Sequence, residues 1–279
     1  MAEPRRHADP LDLANALPPG ERVLLCLDYD GTLVPFEDDV RRAATPPEVR
    51  TLLADLAAEP RFSVAIVTGR SMDDILARLD PPGASHAAEH GKDVRHADGW
   101  ARRFEPEPEV QAALDRIVAR WGALAAEDPR VFFMRKPASA TLSSRRFPSG
   151  ARAALEERAR ACGAEEAAAG LVRFTEGQGL VELRPRGGWT KATAVAMLAE
   201  HERATRGAAT RVLFIGDDRT DEDALEALSA LAPATGIRVA ADATVPTAAD
   251  HVLADVAAVL AFLRELRRLT WATRGSGSG

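Results

Sequence analysis

Five consecutive apolar residues, Val23–Leu27, run straight into Asp28-Tyr29-Asp30-Gly31. A run this short with no polar member reads as a strand buried on both faces, since a surface helix would need a polar side. Such a strand requires cover above and below, and the chain supplies it. Val49, Leu52, Leu53 and Leu56 recur at helical spacing before the next short run, Val64–Val67. Ser71 and Asp74 resemble a capping box leading into Ile75, Leu76 and Leu79. The rhythm returns with Val212–Ile215, then a helix carrying Leu225 and Leu228 with Thr220 as its N-cap. A strand at Ile237–Val239 and an amphipathic helix through Val256, Val259, Leu260, Leu263 and Leu266 complete it. The pattern predicts an α/β fold, a parallel sheet with helices on both faces.

The middle of the chain has a different texture. Val110, Leu114, Ile117, Val118 and Trp121 form a helical stripe, followed by strand-like pieces at Val131–Met134, Ala138–Ser144, Leu171–Phe174 and Val181–Arg184. An alanine-rich, charged stretch around residues 150–168 suits a helix. Strands without strict alternation with helices point to an α+β module inserted into the first domain. Its expected span is 100–182, leaving 1–99 and 183–279 as the main domain. The final GSGSG is a flexible tail outside the fold argument.

Charge and composition exclude several classes. With 36 basic and 42 acidic residues the net charge is −6, which is a poor footprint for general nucleic-acid binding. Two cysteines, Cys26 and Cys162, cannot build a disulfide scaffold and fit a reducing cytosol. No apolar run approaches the ~18–20 residues that span a bilayer. The first twenty residues carry charges and prolines where a signal peptide needs an apolar stretch. The expectation is a soluble, cytoplasmic protein, taken as a monomer, with neither membrane nor nucleic acid as partner.

Four segments carry the chemistry. Asp28-Tyr29-Asp30-Gly31-Thr32-Leu33 follows the first strand, at the sheet edge where ligands bind in open parallel sheets. Two acids one residue apart can divide nucleophilic or cation-binding work from proton transfer; an acidic turn is the plain alternative. Thr68-Gly69 follows a second strand and offers a hydroxyl and backbone N–H groups to phosphate oxygens. Lys191 begins a helix after Gly187-Gly188-Trp189, placing a cation at a helix N-terminus. Gly216-Asp217-Asp218-Arg219-Thr220-Asp221-Glu222 crowds four acids at another strand end. Crowded carboxylates favour a bound Mg²⁺, while helix capping would account for one or two of them.

In that order the segments resemble the haloacid dehalogenase superfamily of phosphohydrolases, with the insertion as its α/β-type cap. DYDGTL, TGR (68–70), EHG (89–91), VELRP (181–185) and GDDRTDE (216–222) are similar to trehalose-phosphate phosphatases over nearly all of residues 22–266. The resemblance implies that Asp28 attacks phosphorus to form an aspartyl-phosphate. It makes Asp30 the acid that protonates the departing sugar oxygen and then the base that activates water. It gives Mg²⁺ to Asp28, the backbone carbonyl of Asp30, and Asp217, with Asp218 and Asp221 in support. Thr68 and Lys191 would hold the phosphoryl group. Substrate contacts are expected from Arg70, Glu89, Lys136, Ser143, Arg145 and Glu182, brought onto the sugar by cap closure.

Two cap positions depart from the family pattern. Met134 stands where the family typically has Glu, and Ser143 where it has His. Both changes remove polar groups that could orient sugar hydroxyls, and a site that hydrogen-bonds hydroxyls discriminates strongly. Trehalose 6-phosphate leads as substrate, with another disaccharide or glycosyl-polyol phosphate as alternative, and a sugar phosphomutase or non-catalytic sensor behind them. His86, His90 and His96 show no zinc-ligand spacing, and Trp100 and Trp121 are expected in cap packing.

Overall fold

A computed structural model describes residues 6–37, 43–177, 179–207 and 209–275. The tail beyond Gly275 lies outside the described residues. The chain divides into two compact units, one reaching Arg102 and resuming at Trp189, the other spanning Arg103–Gly188.

The first stretch contains α1 (Pro10–Asn15), β1 (Arg22–Leu27), α2 (Pro47–Ala57), β2 (Phe62–Val67), α3 (Met72–Arg78), β3 (Ala84–Ala88), β4 (Asp93–Arg95) and β5 (Ala101–Arg103). The smaller unit holds α4 (Pro108–Glu127), β6 (Phe132–Arg135), β7 (Ala140–Ser143), α5 (Ser149–Ala161), α6 (Ala164–Ala168), β8 (Val172–Gly177) and β9 (Leu180–Pro185). The chain then returns through α7 (Lys191–Arg206), β10 (Thr210–Gly216), α8 (Arg219–Ala227), β11 (Ala234–Val239), β12 (His251–Leu253) and α9 (Val256–Gly275).

In the larger unit the strand order is β12-β11-β10-β1-β2-β3-β4-β5. All pairings from β12 to β3 are parallel, and β4 runs antiparallel to β3. The central strand is β1, with Leu27 opposite Ile215 of β10 on one side and Ile66 of β2 on the other. From β1 the chain builds outward to β3 on one side, and after the smaller unit it builds outward from β10 on the other. That reversal of strand order makes the carboxyl ends of β1 and β10 the switch point, the place where open parallel sheets bind ligands.

Alternation along β1 feeds two cores, as its unbroken apolar run requires. Leu25 and Leu27 join Leu53, Ile66, Phe262 and Leu263 on one face. Leu24 and Cys26 join Val195, Leu198, Phe214 and Leu225 on the other. Each such side chain contributes roughly 1.5–3 kcal/mol of burial, an upper figure for an extended unfolded reference. Burial also pushes the Cys26 thiol far above its ordinary pKa, with Glu202 adding to the effect.

The smaller unit is an antiparallel sheet, β6-β7-β9-β8. Leu142, Val181, Ala140 and Leu183 pack on Leu114, Ile117, Trp121 and Leu155. Trp121 is fully buried and donates its indole N–H to the Ala159 carbonyl at 2.9 Å. Across the strands Met134, Thr141, Glu182 and Thr175 form one row. By alternation this row lies on the face opposite the apolar residues.

Four expectations change. The N-cap of α8 is Asp218, so Thr220 already lies inside the helix. Ser71 caps α3 by accepting from the Asp74 amide, but the Asp74 carboxylate turns to arginines instead of completing the box. Trp100 belongs to the larger unit, where it stacks on His201, and does not pack in the cap. The whole of β9 also stays in the smaller unit, so the return to the larger one falls after Gly188.

Candidate active site

Asp28 directly follows β1, and its amide extends the parallel ladder by donating to the Ile215 carbonyl at 2.9 Å. The chain then folds back, with the Leu33 amide on the Tyr29 carbonyl at 2.9 Å and the Gly31 amide on the Val34 carbonyl at 2.8 Å. Gly31 has φ +86°, and a Cβ there would lie 2.3 Å from an Asp217 carboxylate oxygen. A Cβ at Gly216 would lie 2.2 Å from the Asp221 carboxyl carbon. Both glycines therefore serve one purpose, letting carboxylates close in on neighbouring backbone.

Lys191 is the first residue of α7, fixed there by the reciprocal Thr190–Thr193 capping box. Its ammonium donates to Asp28 Oδ1 and to Asp221 Oδ1, both at 2.7 Å, and all three side chains are buried. Asp221 is further held by its Oδ2, which accepts from the Asp217 amide at 3.1 Å and the Asp218 amide at 3.0 Å. Asp218 completes a capping box with Asp221 and so uses its carboxylate at the start of α8. Glu222 pairs with Arg238 at 3.2 Å. Capping and pairing thus engage three of the four clustered acids. Asp217 has a different neighbour, the Thr32 hydroxyl, which donates to its Oδ1 at 3.4 Å.

Electrostatics follow from this crowding. Burial pushes the Asp28 carboxyl up to about 8, opposed by Lys191 and reinforced by Asp217 and Asp218. Asp217 is raised to about 7 by burial and by repulsion from Asp221 and Asp218. Asp218 goes the other way, to about 2: burial opposes this but Lys191, Asp221 and Thr220 outweigh it. Lys191 is held protonated, well above its ordinary range, because Asp221 and Asp28 overcome its desolvation. Carboxylates outnumber the one buried ammonium, and Asp28, Asp217 and Asp221 offer ligand oxygens within 4.8 Å of one another. An all-oxygen donor set with excess negative charge fits a hard divalent cation.

Asp30 points elsewhere. Both its oxygens accept from Arg70, at 2.7 Å from Nε and 2.6 Å from Nη2. Arg70 also donates to Asp74 at 2.6 Å and lies over the Tyr29 ring at 5.1 Å from its centroid. Thr68 sits just past β2 at the same sheet edge as Asp28, and its hydroxyl accepts from the Arg70 amide at 3.2 Å. Next to it Gly69 leaves room for the His90 ring, whose Nε2 would be 2.6 Å from a Cβ there. Glu89 and His90 adopt left-handed φ values of 46° and 58°, a costly conformation for residues with side chains. The Glu89 amide donates to the Arg70 carbonyl at 2.8 Å and the His90 amide to that of Thr68 at 2.9 Å, tying this turn to the TGR segment.

In the smaller unit, Lys136 donates to Glu182 at 3.0 Å and both are largely buried. Ser143 accepts from the Arg145 amide at 3.4 Å, and Arg145 itself is buried beside Gly179. The expected residues therefore fall into three groups: Asp28, Lys191, Asp217, Asp218 and Asp221; Asp30, Arg70, Thr68 and Glu89; and Lys136, Ser143, Arg145 and Glu182. The structure adds Asp74 and Tyr29 to the second group through their contacts with Arg70. The opposite charges of Arg70 and Asp74 four residues apart were a usable signal for the first of them.

The family model described as trehalose-phosphatase matches residues 26–257. Probable trehalose-phosphate phosphatase C of Arabidopsis thaliana is 28% identical over 253 residues, covering 88% of this chain and 77% of its own. A trehalose-phosphate phosphatase of Mycobacterium marinum is 30% identical over 245 residues, covering 88% of this chain and 61% of its own. Among solved structures, the C-terminal domain of C. albicans trehalose-6-phosphate phosphatase superposes with TM-score 0.83 at 21% identity, covering 96% of this chain and 99% of that one. A haloacid dehalogenase-like hydrolase from B. subtilis gives TM-score 0.56 at 16% identity, covering 87% of this chain and 99% of that one. Both structural likenesses speak for the fold.

Proposed function

Because this chain belongs to the trehalose-phosphatase family, we propose that it hydrolyses trehalose 6-phosphate to trehalose and phosphate. The observation that carries the reading is the Lys191 ammonium bridging Asp28 and Asp221 at 2.7 Å each, at the switch point of the sheet. That arrangement engages Asp28 Oδ1 with a cation and leaves Oδ2 to attack. An anionic carboxylate approaching an anionic phosphate monoester needs such neutralisation.

In this reading Asp28 Oδ2 forms a bond to phosphorus as the bond from phosphorus to the sugar oxygen breaks. Asp30 enters this step protonated, with Arg70 giving up one of the two Asp30 oxygens to the proton, and passes that proton to the sugar oxygen. In the second half Asp30 takes a proton from water, the water oxygen bonds to phosphorus, and the bond to Asp28 breaks, releasing phosphate. Splitting hydrolysis this way lets one acid/base serve both halves. Arg70 orients Asp30, and Thr68 with Lys191 holds the phosphoryl oxygens. Mg²⁺ would be held by Asp28, the Asp30 carbonyl and Asp217, with Asp218 and Asp221 fixing the surrounding backbone. When bound it supplies positive charge against the phosphoryl oxygens.

Sugar recognition is assigned to Glu89, Lys136, Ser143, Arg145 and Glu182. Met134 lies in the same row as Glu182, so a thioether occupies a position on the polar face where an acid would offer acceptors. This favours, as a second reading, a related disaccharide or glycosyl-polyol phosphate. No described helix is long and apolar enough to cross a membrane, and Cys26 and Cys162 are free thiols. We place the enzyme, as a monomer, in a reducing cytosol on the strength of that cysteine usage.

The test is phosphate release from trehalose 6-phosphate, sucrose 6-phosphate, glucosylglycerol phosphate and glucose 6-phosphate, with Mg²⁺ and with EDTA, using Asp28→Asn as the blank. Mg²⁺-dependent release led by trehalose 6-phosphate supports the proposal. Release led by another sugar moves the substrate and keeps the chemistry. No release from any of them, with ligand still bound, overturns it in favour of a sensor.

A further inference from the structure

Far from these carboxylates the fold brings together residues that the sequence keeps a hundred positions apart. His96 and Asp98 lie in the turn between β4 and β5, while His201 and Glu202 lie near the end of α7. Lys191 opens α7, so His201 is roughly 15 Å further along its axis. The turn is rigidly specified. The His96 amide donates to the Trp100 carbonyl at 2.7 Å, and the Gly99 amide to the His96 carbonyl at 3.0 Å. The Trp100 amide caps Asp98 Oδ1 at 2.9 Å.

Asp98 stands between two imidazoles. Its Oδ1 is 2.9 Å from His96 Nδ1 and its Oδ2 is 2.7 Å from His201 Nε2. One ligand atom from each of the three residues lies within 4.8 Å of the others. Behind them Glu202, 1% exposed, sets its Oε1 2.8 Å from His96 Nε2. A buried carboxylate on the far nitrogen holds that nitrogen protonated and turns Nδ1 toward Asp98 as the ligand atom, the outer-sphere pairing that metal-bound histidines use. Trp100 stacks on His201 with centroids 4.7 Å apart, fixing that ring. Asp98 is 41% exposed, which leaves an entrance.

We propose that His96, Asp98 and His201 form a second metal site, for a divalent transition cation of the Zn²⁺ class, that fastens the β4–β5 turn to the end of α7. Geometry favours it: nitrogens of two imidazoles converge on one carboxylate at 2.9 and 2.7 Å, and contacts this short between Asp98 and both rings need either ring protons or one shared cation. The donor set decides the class. Imidazole nitrogens with one carboxylate suit Zn²⁺ or Co²⁺, whereas Mg²⁺ prefers oxygen ligands throughout. Three protein ligands leave a position for water. The site is independent of the catalytic proposal, because neither set of ligands shares a residue with the other.

The test is titration of the full-length protein with Co²⁺ in a large excess of Mg²⁺, followed by visible d–d absorption and by calorimetry. One equivalent of Co²⁺ should bind with the absorption of a nitrogen-containing low-coordinate site, and Zn²⁺ should displace it. Glu202→Gln should weaken binding about 10–100-fold, and His201→Ala and Asp98→Asn should abolish the absorption. Asp217→Asn should leave it intact, and His201→Ala should still release phosphate with Mg²⁺. Two results would overturn the site. One is a spectrum unchanged in both His201→Ala and Asp98→Asn; the other is a wild-type protein that takes up no Co²⁺, leaving a chain of protonated histidines.

Discussion

Arg70 grips both carboxylate oxygens of Asp30, at 2.7 Å and 2.6 Å, while a third nitrogen holds Asp74 at 2.6 Å. The side chain is buried and lies over the Tyr29 ring, so the clamp is built into the loop. A bidentate grip sets the orientation of Asp30 in a way one ammonium cannot. Arg70→Lys should therefore lower kcat by about 10–100-fold with KM little changed, as expected when a catalytic group is misplaced. Steady-state kinetics on the best substrate distinguishes this from direct substrate binding by Arg70, which would raise KM while kcat held.

The four acids after β10 make a second prediction. Lys191 engages Asp28 and Asp221, and Asp218 caps α8, so the burial and carboxylate crowding that raise Asp217 to about 7 would be relieved by a divalent cation. Saturating Mg²⁺ should stabilise the protein, by about 2.7 kcal/mol when the ion is at a hundred times its Kd. Asp217→Asn should lose most of that gain. Thermal melts of both proteins with and without Mg²⁺ measure it, and an equal shift in the two would place the ion elsewhere.

Much of this arrangement was readable before any coordinates. The two-faced burial of β1 followed from Val23–Leu27 having no polar member, and a buried parallel strand puts Asp28 at the carboxyl edge of the sheet. The strands β3, β4 and β5 were not visible, because Ala84–Ala88, Asp93–Arg95 and Ala101–Arg103 lack the β-branched runs that mark a strand. Their place comes from the neighbours they pair with. Acid clustering identified the segment 216–222, but not the division of labour within it. Assigning the N-cap to Asp218 rather than Thr220 needed the backbone, since either residue type caps well. The His96–His201 pairing lay beyond reach for a different reason: only the fold joins residues so distant in the chain.

Gly216 offers a sharper steric test. Its missing side chain leaves room for Asp221, whose carboxyl carbon would be 2.2 Å from a Cβ. Asp221 is fully buried and bonded to Lys191 and two backbone amides, so it cannot step aside. Gly216→Ala should cost roughly 1–3 kcal/mol of stability and abolish phosphate release. Gly150, in α5 with open space around it, supplies the control: Gly150→Ala should be neutral or slightly stabilising. Urea denaturation of the two variants measures the contrast, and equal costs would contradict the packing account.

His86 gives the pH dependence. It is buried on β3, where one ring nitrogen contacts the Leu79 carbonyl at 3.1 Å. Burial lowers its pKa below the usual 6.5, with Arg95 adding to the effect and the Leu79 carbonyl and Asp80 opposing it. Above that unfolded value both states are neutral and the full stability is present. As pH falls below it, the unfolded chain takes up a proton that the folded chain resists, so stability is lost down to the folded pKa. The loss approaches about 1.4 kcal/mol per pH unit at most. Urea midpoints near pH 7.5 and pH 5 for wild type and His86→Gln isolate this group from other titrations. The wild type should lose more stability between the two conditions than His86→Gln, and equal losses would show that His86 protonates as readily folded as unfolded.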